Sequence, residues 1–193
     1  HERQRAYRNG IAYFYGRRLS IIMQRLGQHF LKNNSAIKKI IAALDIQPFD
    51  QAQGKPGETI IEIGPGKGAL TFPLAEECIQ KKCQLIAIEK DGLLVESLKF
   101  KVFGEKNSED NRSNLEIIEG DALKMLPEII RNLKLTNLQT YKLVGNIPYY
   151  ITGKLLRTIS ELKNKPPHPT SGCGGKPSVS VLMVQKEVAE RIC

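Results

Sequence analysis

The 193 residues suffice for one full domain, or one domain with part of a second, and are too few for a complete two-domain enzyme. With 41% hydrophobic and 25% charged residues the composition is that of an ordinary globular protein, which excludes collagen-like, coiled-coil and wholly disordered chains, and no apolar run approaches the roughly 20 residues of a membrane helix. Lys and Arg number 29 against 20 Asp and Glu, and the resulting net charge of +9 favours polyanionic partners, nucleic acid or a membrane surface; a basic surface that serves solubility alone is the plain alternative.

Residues 1–26 are rich in Arg and Tyr and lack the apolar core and small-residue cleavage site of a signal peptide, so a basic, poorly ordered arm is expected there. Met23 offers an internal start. From Asn34 a helix is signalled: Asn34 or Ser35 can cap it, Ile37, Ile40, Ile41 and Leu44 form one apolar face, and Pro48 helps to stop it. After a polar linker over 50–58, apolar runs at 59–63, 85–89, 115–119, 141–145 and 179–184 read as strands with helical stretches between them. Such alternation predicts an α/β fold with a mostly parallel, doubly wound sheet, because each crossover must lay a helix over one face. Segments 104–114 and 164–177 are polar or crowded with Pro, Gly and Ser and read as a loop and a flexible insertion. Cys78, Cys83, Cys173 and Cys193 show neither a metal-ligand spacing nor a disulfide framework, so no metal is expected and reduced cytoplasmic thiols are. The chain opens on His1 and stops at Cys193 inside an expected helix, which reads as a piece of a longer protein.

Four motifs fall at strand ends. Glu62-Ile-Gly-Pro-Gly-Lys-Gly68 joins the first core strand to a helix; its glycines let the backbone turn sharply and approach a ligand, with free N–H groups of the helix start facing it, so a nucleotide-like cofactor is the natural occupant. Gly64, Gly66 and Ala69 also satisfy the dinucleotide pattern G-x-G-x-x-A, with Glu89 about 20 residues on, which keeps a nicotinamide oxidoreductase open. Glu89 ends the second core strand, where its carboxylate can accept from two ribose hydroxyls, while Asp91 fits a helix N-terminus better. Asp121, ending the third, suits the amino group of a cofactor adenine; alone it would more often be a helix cap. Asn146-Ile-Pro-Tyr149 follows the fourth. Here Asn146 supplies a side-chain carbonyl, Pro148 fixes the backbone so that the carbonyl of Ile147 or Pro148 can point at an amine, and Tyr149 offers a face for an extruded base; a turn with a core Tyr is the bland alternative.

With these motifs in order, the chain resembles the S-adenosylmethionine-dependent ribosomal RNA adenine N6-dimethyltransferases from about Leu26 to Ile192. The resemblance also takes in Gly27-Gln-His-Phe-Leu31 and Val184-Gln-Lys-Glu-Val-Ala-Glu-Arg191, and is nearer the bacterial small-subunit branch than the branch acting on large-subunit RNA. It implies a Rossmann-like class I methyltransferase fold over 27–193 with the C-terminal part missing, including a helical RNA-binding domain. It implies that His29 and Leu31 contact the methionine part of S-adenosylmethionine, Gly64 the loop, Glu89 the ribose, Asp121 the adenine, and Asn146 both the cofactor edge and the target amine. His29 departs from many relatives, which carry Asn there. The implied reaction is direct methyl transfer to adenine N6 of small-subunit ribosomal RNA during ribosome maturation, by a cytoplasmic monomer without a membrane partner. Arg17, Arg18, Lys38 and Lys39 would hold phosphates. A large-subunit enzyme and a non-catalytic ribosome-assembly factor are the further alternatives.

Overall fold

The computed structural model describes residues 5–8, 11–14, 18–24, 34–49, 57–104, 114–135, 141–164, 177–185 and 189. The core strands lie within a residue or two of where the apolar runs put them: β4 (Thr59–Ile63), β5 (Gln84–Glu89), β6 (Leu115–Glu119), β7 (Tyr141–Asn146) and β8 (Val179–Gln185). Their order in the sheet is β8-β7-β4-β5-β6, all parallel. The chain therefore moves outward from β4 through β5 to β6, then returns to place β7 on the other side of β4. That reversal leaves a crevice above the carboxyl ends of β4 and β7, the usual ligand position of an open parallel sheet.

Five helices cover both faces: α1 (Asn34–Leu44), α2 (Thr71–Lys81), α3 (Gly92–Phe103), α4 (Ala122–Leu135) and α5 (Tyr149–Asn164). Alternate residues of each strand divide the core into two layers. Ile60, Leu85, Ala87, Ile117, Val144, Val181 and Met183 pack beneath α1, α2 and α3. Ile61, Ile63, Ile86, Ile88, Leu143 and Leu182 pack beneath α4 and α5. Burial of both faces is why the strands read as continuous apolar runs.

Two features differ from the sequence expectation. Where 1–26 reads as a poorly ordered basic arm, the structure has strands β1 (Arg5–Arg8), β2 (Ile11–Phe14) and β3 (Arg18–Gln24). Strand β2 is the antiparallel neighbour of β1 on one side and of β3 on the other, and β3 runs parallel to β8 from Arg18↔Val179 to Gln24↔Gln185. The run Leu19, Ile21, Ile22, Met23 suits an extended chain, and the edge of β8 presents unpaired N–H and C=O groups that such a chain satisfies. Secondly, α1 stops three residues before Pro48, at Asp45, whose φ of 52° is left-handed. Most of the expected loop at 104–114, the insertion at 164–177 and the linker at 50–58 lies outside the described residues.

One buried charge fastens α1 to the sheet. Lys142 on β7 is 3% exposed; its Nζ lies 2.7 Å from a carboxylate oxygen of Glu58 and donates to the carbonyl of Asp45. Removing one partner of a buried pair costs more than the pair itself contributes. Lys142→Ala is expected to destabilise the fold by about 3 kcal/mol in denaturant titrations, with Lys142→Met recovering part of the loss; equal stability of wild type and Lys142→Ala would show the pair to be dispensable.

Candidate functional site

Strand alternation puts Glu62, Glu89 and Asn146 on the same face of the sheet, the one beneath α1 to α3, and at the same carboxyl end. The loop after β4 adopts left-handed backbone at Gly64 (φ 67°), Gly66 (φ 58°) and Gly68 (φ 86°). A Cβ at Gly64 would lie in ordinary contact, 3.9 Å from the Asn146 carbonyl oxygen, whereas one at Gly145 would come within 2.5 Å of the Ile63 carbonyl oxygen, so β4 and β7 close on each other at the reversal point.

Glu89 organises this end of the sheet. Its Oε2 accepts from the Gly66 N–H at 3.0 Å, and its Oε1 accepts from the N–H groups of Lys90 at 2.7 Å and Asp91 at 3.0 Å. A carboxylate has about four lone-pair positions, so three are taken and one, on Oε2, is open. The sequence expectation of two ribose hydroxyls on this carboxylate therefore requires one backbone bond to give way.

Asp91, as expected, caps α3, accepting from Leu93 and Leu94 N–H through Oδ1. Asp121 caps a helix, as one of the two readings offered for it has it. Its Oδ1 accepts from Leu123 N–H at 3.0 Å at the start of α4, while Oδ2 lies 3.7 Å from the Lys90 ammonium. One oxygen is committed to the helix and the other meets only an exposed Lys. At β7, the Ile147 N–H donates to the Met183 carbonyl of β8. The Pro148 carbonyl accepts from Ile151 N–H at 3.1 Å and from the buried Thr152 hydroxyl at 3.0 Å. Both of its lone pairs are thus engaged in the first turn of α5, leaving the Ile147 carbonyl as the main-chain acceptor of this turn. Tyr149 is the first residue of α5, and its side chain, like His29 and Leu31, lies outside the described residues.

A further acid stands under the glycine loop, one that the sequence shows only as a carboxylate inside the apolar run Thr59-Ile-Ile-Glu-Ile63. Glu62 is 2% exposed, and burial, with Glu89 nearby, pushes its carboxyl up to about 8; the Thr71 hydroxyl opening α2 offsets this in part. Neither Glu62 Oε2 nor Thr71 Oγ1 makes a hydrogen bond within the usual limits, so the hydroxyl stands beside the carboxyl without satisfying Oε2. Among the described residues no group of three His, Cys, Asp or Glu side chains could hold a metal ion, and no helix is long and apolar enough to cross a membrane.

A parallel sheet with a glycine-rich turn after its central strand and acids at the next two strand ends defines a protein built to hold a nucleoside-bearing ligand. Within that class, the profile of the ribosomal RNA adenine dimethylase family matches residues 21–193, and the chain belongs to this family. The match begins inside β3, so β1 and β2 precede it. Among curated relatives, ribosomal RNA small subunit methyltransferase A of Dehalococcoides mccartyi (strain CBDB1) is 40% identical over 167 residues, covering 86% of this chain and 46% of the relative. The proteins of the same name from Mycoplasma capricolum and Parasynechococcus marenigrum are 38% and 34% identical, covering 86% and 88% of this chain and 50% and 46% of theirs. The chain spans about half the length of these relatives. Membership implies a methyl donor of the S-adenosylmethionine type and ribosomal RNA as the family's substrate.

Between the ordinary Glu value of 4.5 and about 8, the folded protein keeps a proton on Glu62 that the unfolded chain has released. Native protein then binds more protons than unfolded, so stability is full below about pH 4.5 and declines as pH rises through 8, by on the order of 4 kcal/mol in all. Denaturant titrations from pH 5 to 8.5 are expected to show this decline in wild type and a flatter profile in Glu62→Gln; parallel profiles would place the pH dependence elsewhere.

Proposed function

We propose that this chain carries the cofactor-binding part of an enzyme that transfers methyl groups from S-adenosylmethionine to N6 of adenine in small-subunit ribosomal RNA, giving N6,N6-dimethyladenine during ribosome maturation. The observation that carries this is the convergence of Glu89, Asp121, the glycine loop and Asn146 on one crevice at the reversal point of the sheet, in a chain of this family. The residues fit the donor: a Cβ at Gly66 would meet nothing within 4 Å, Glu89 keeps an open acceptor position, and Asp121 keeps an oxygen beyond its capping bond.

In this reading Glu89 takes a ribose hydroxyl on Oε2, and a second by displacing a backbone N–H. Asp121 accepts from the cofactor's adenine amino group through Oδ2, displacing the weak contact to Lys90. Gly64 and the adjacent loop leave room for the methionine part, with His29 and Leu31 beside it. When bound, S-adenosylmethionine supplies an electrophilic methyl group on sulfur. The target N6 is a poor nucleophile because its lone pair is delocalised into the purine ring. Asn146 through its side-chain carbonyl, and Ile147 through its main-chain carbonyl, accept the two N6 hydrogens and draw that lone pair toward a tetrahedral geometry. Pro148 holds the turn, and Tyr149 stacks the extruded base, worth about 1 to 3 kcal/mol. Catalysis is positioning and electrostatic complementarity, without a covalent intermediate. The RNA enters as an unpaired segment, as base-selective recognition of RNA requires. A cytoplasmic monomer acting on a precursor subunit completes the proposal.

Three measurements on the full-length protein decide among the readings. Methyl transfer to immature small subunits, with adenine products identified by mass, is expected to yield dimethyladenine; absence of product with RNA binding intact would favour an assembly factor. Binding of NAD in place of S-adenosylmethionine would favour an oxidoreductase. Asn146→Ala is expected to abolish most transfer while leaving donor affinity within a few-fold, whereas Glu89→Ala weakens the donor first. Equal turnover in wild type and Asn146→Ala would remove Asn146 from the reaction.

A further inference from the structure

Glu62 is left without a task by the reading above, and its surroundings give it one. The carboxyl is sealed beneath the turn from β4 into α2, with Oε2 unpartnered and the equally buried Thr71 hydroxyl unpartnered beside it. Its neighbours across the sheet are Ala87 on β5 and Val144 on β7; the buried strand residues of the layer beneath α1, α2 and α3 are otherwise apolar apart from Glu89 and from Lys142, which stands toward the amino end of β7 and is paired with Glu58. From β5 the charged group facing it is Glu89, another acid; from α2 it meets only the Thr71 hydroxyl. Two carboxylates with no cation between them among the described residues cannot both be ionised cheaply in such a setting. Glu89 has three N–H donors while Glu62 Oε2 has none, so a proton is held at Glu62.

Building on the proposed donor, which carries a sulfonium and an ammonium charge, we propose that Glu62 is neutral in the empty crevice and gives up its proton when this cationic ligand enters, so that binding S-adenosylmethionine releases a proton to solvent. The balance is simple: the carboxyl O–H breaks, the proton passes to buffer, and the carboxylate left behind faces the ligand's positive charge in place of water. Glu62 thereby acts as a positioning residue that favours a cationic donor over a neutral nucleoside. By linkage, affinity for the donor rises as pH rises while Glu62 is protonated in the free protein, and levels off above that range.

Calorimetric titration of the full-length protein with S-adenosylmethionine, in phosphate and in Tris at matched pH, counts protons from the dependence of the heat on buffer. More than half a proton is expected to be released per donor bound at pH 7, falling toward zero by pH 9, with Kd tightening about ten-fold or more between pH 6 and 8. Because the donor's own ammonium also titrates, the decisive quantity is the difference between wild type and Glu62→Gln, which is expected to bind the donor without the extra proton. Should Glu62→Gln not fold, infrared difference spectra of wild type decide instead: loss of a protonated-carboxyl C=O band on binding supports the proposal, and an unchanged band overturns it. Donor binding with no proton released, or with equal release in Glu62→Gln, overturns this inference and leaves the proposed function standing. Absence of any donor binding overturns both.

Discussion

The crevice exists because one carboxylate is held by three backbone N–H groups. Glu89 is 8% exposed, and a polar group so far from water must be met by hydrogen-bond partners. Gly66 comes from the loop after β4, Lys90 and Asp91 from the turn after β5, and the same acid therefore fixes two separate connections against each other. Two more bonds reinforce it: Gly64 N–H to the Ile88 carbonyl, and Gly120 N–H to the carbonyl of Glu89 itself. The ends of β4, β5 and β6 are in this way locked before any ligand arrives. A preorganised site avoids the ordering cost that a flexible loop would pay on binding.

The same arrangement makes the interior electrostatically asymmetric. Glu62 and Glu89 share a face and an end of the sheet, yet the one is ringed by donors and the other by aliphatic side chains and an idle hydroxyl. Environment, not residue type, assigns them opposite roles, one a standing negative charge at the mouth and the other a reserve of charge beneath the loop. A net charge of +9 over the whole chain brings an anionic polymer close, while the local acids favour a cation in the crevice.

Most of the sheet was legible because its signal is local. The runs at 59–63, 85–89 and 115–119 carry their own periodicity, and the motif glycines have their φ angles written into residue type. What was not legible depended on partners distant in sequence. Whether Arg18–Gln24 becomes a strand depends on the free edge of β8, some 160 residues later. Asp121 is readable as a cap or as a ligand contact, but only the backbone of α4 shows that one oxygen is taken by the cap, leaving the other beyond it. The carbonyl of Pro148 looks as available as that of Ile147 until the Thr152 hydroxyl is found against it. The burial of Glu62 comes from α2 folding over β4, which no window of a few residues contains.

These distant partners bear on the chemistry as well as on the fold. The cofactor side of the crevice is assembled from β4, β5 and β6, whose ends are tied to one another. Across the reversal point, the Asn146 turn is tied elsewhere: Ile147 N–H bonds to Met183 of β8, and Thr152 clamps Pro148 from within α5. Strand β8 thus contributes no residue to the proposed chemistry and still sets where the Ile147 carbonyl stands. An acceptor must lie within a few tenths of an ångström of its place to act on an amine held beside a donor. The two halves of the crevice are therefore supported by different parts of the sheet, and they meet where Gly64 approaches the carbonyl of Asn146. A side chain at Gly64 would meet only an ordinary contact there; its left-handed backbone, with φ 67°, gives the first glycine of the motif a structural reason beyond room for the ligand.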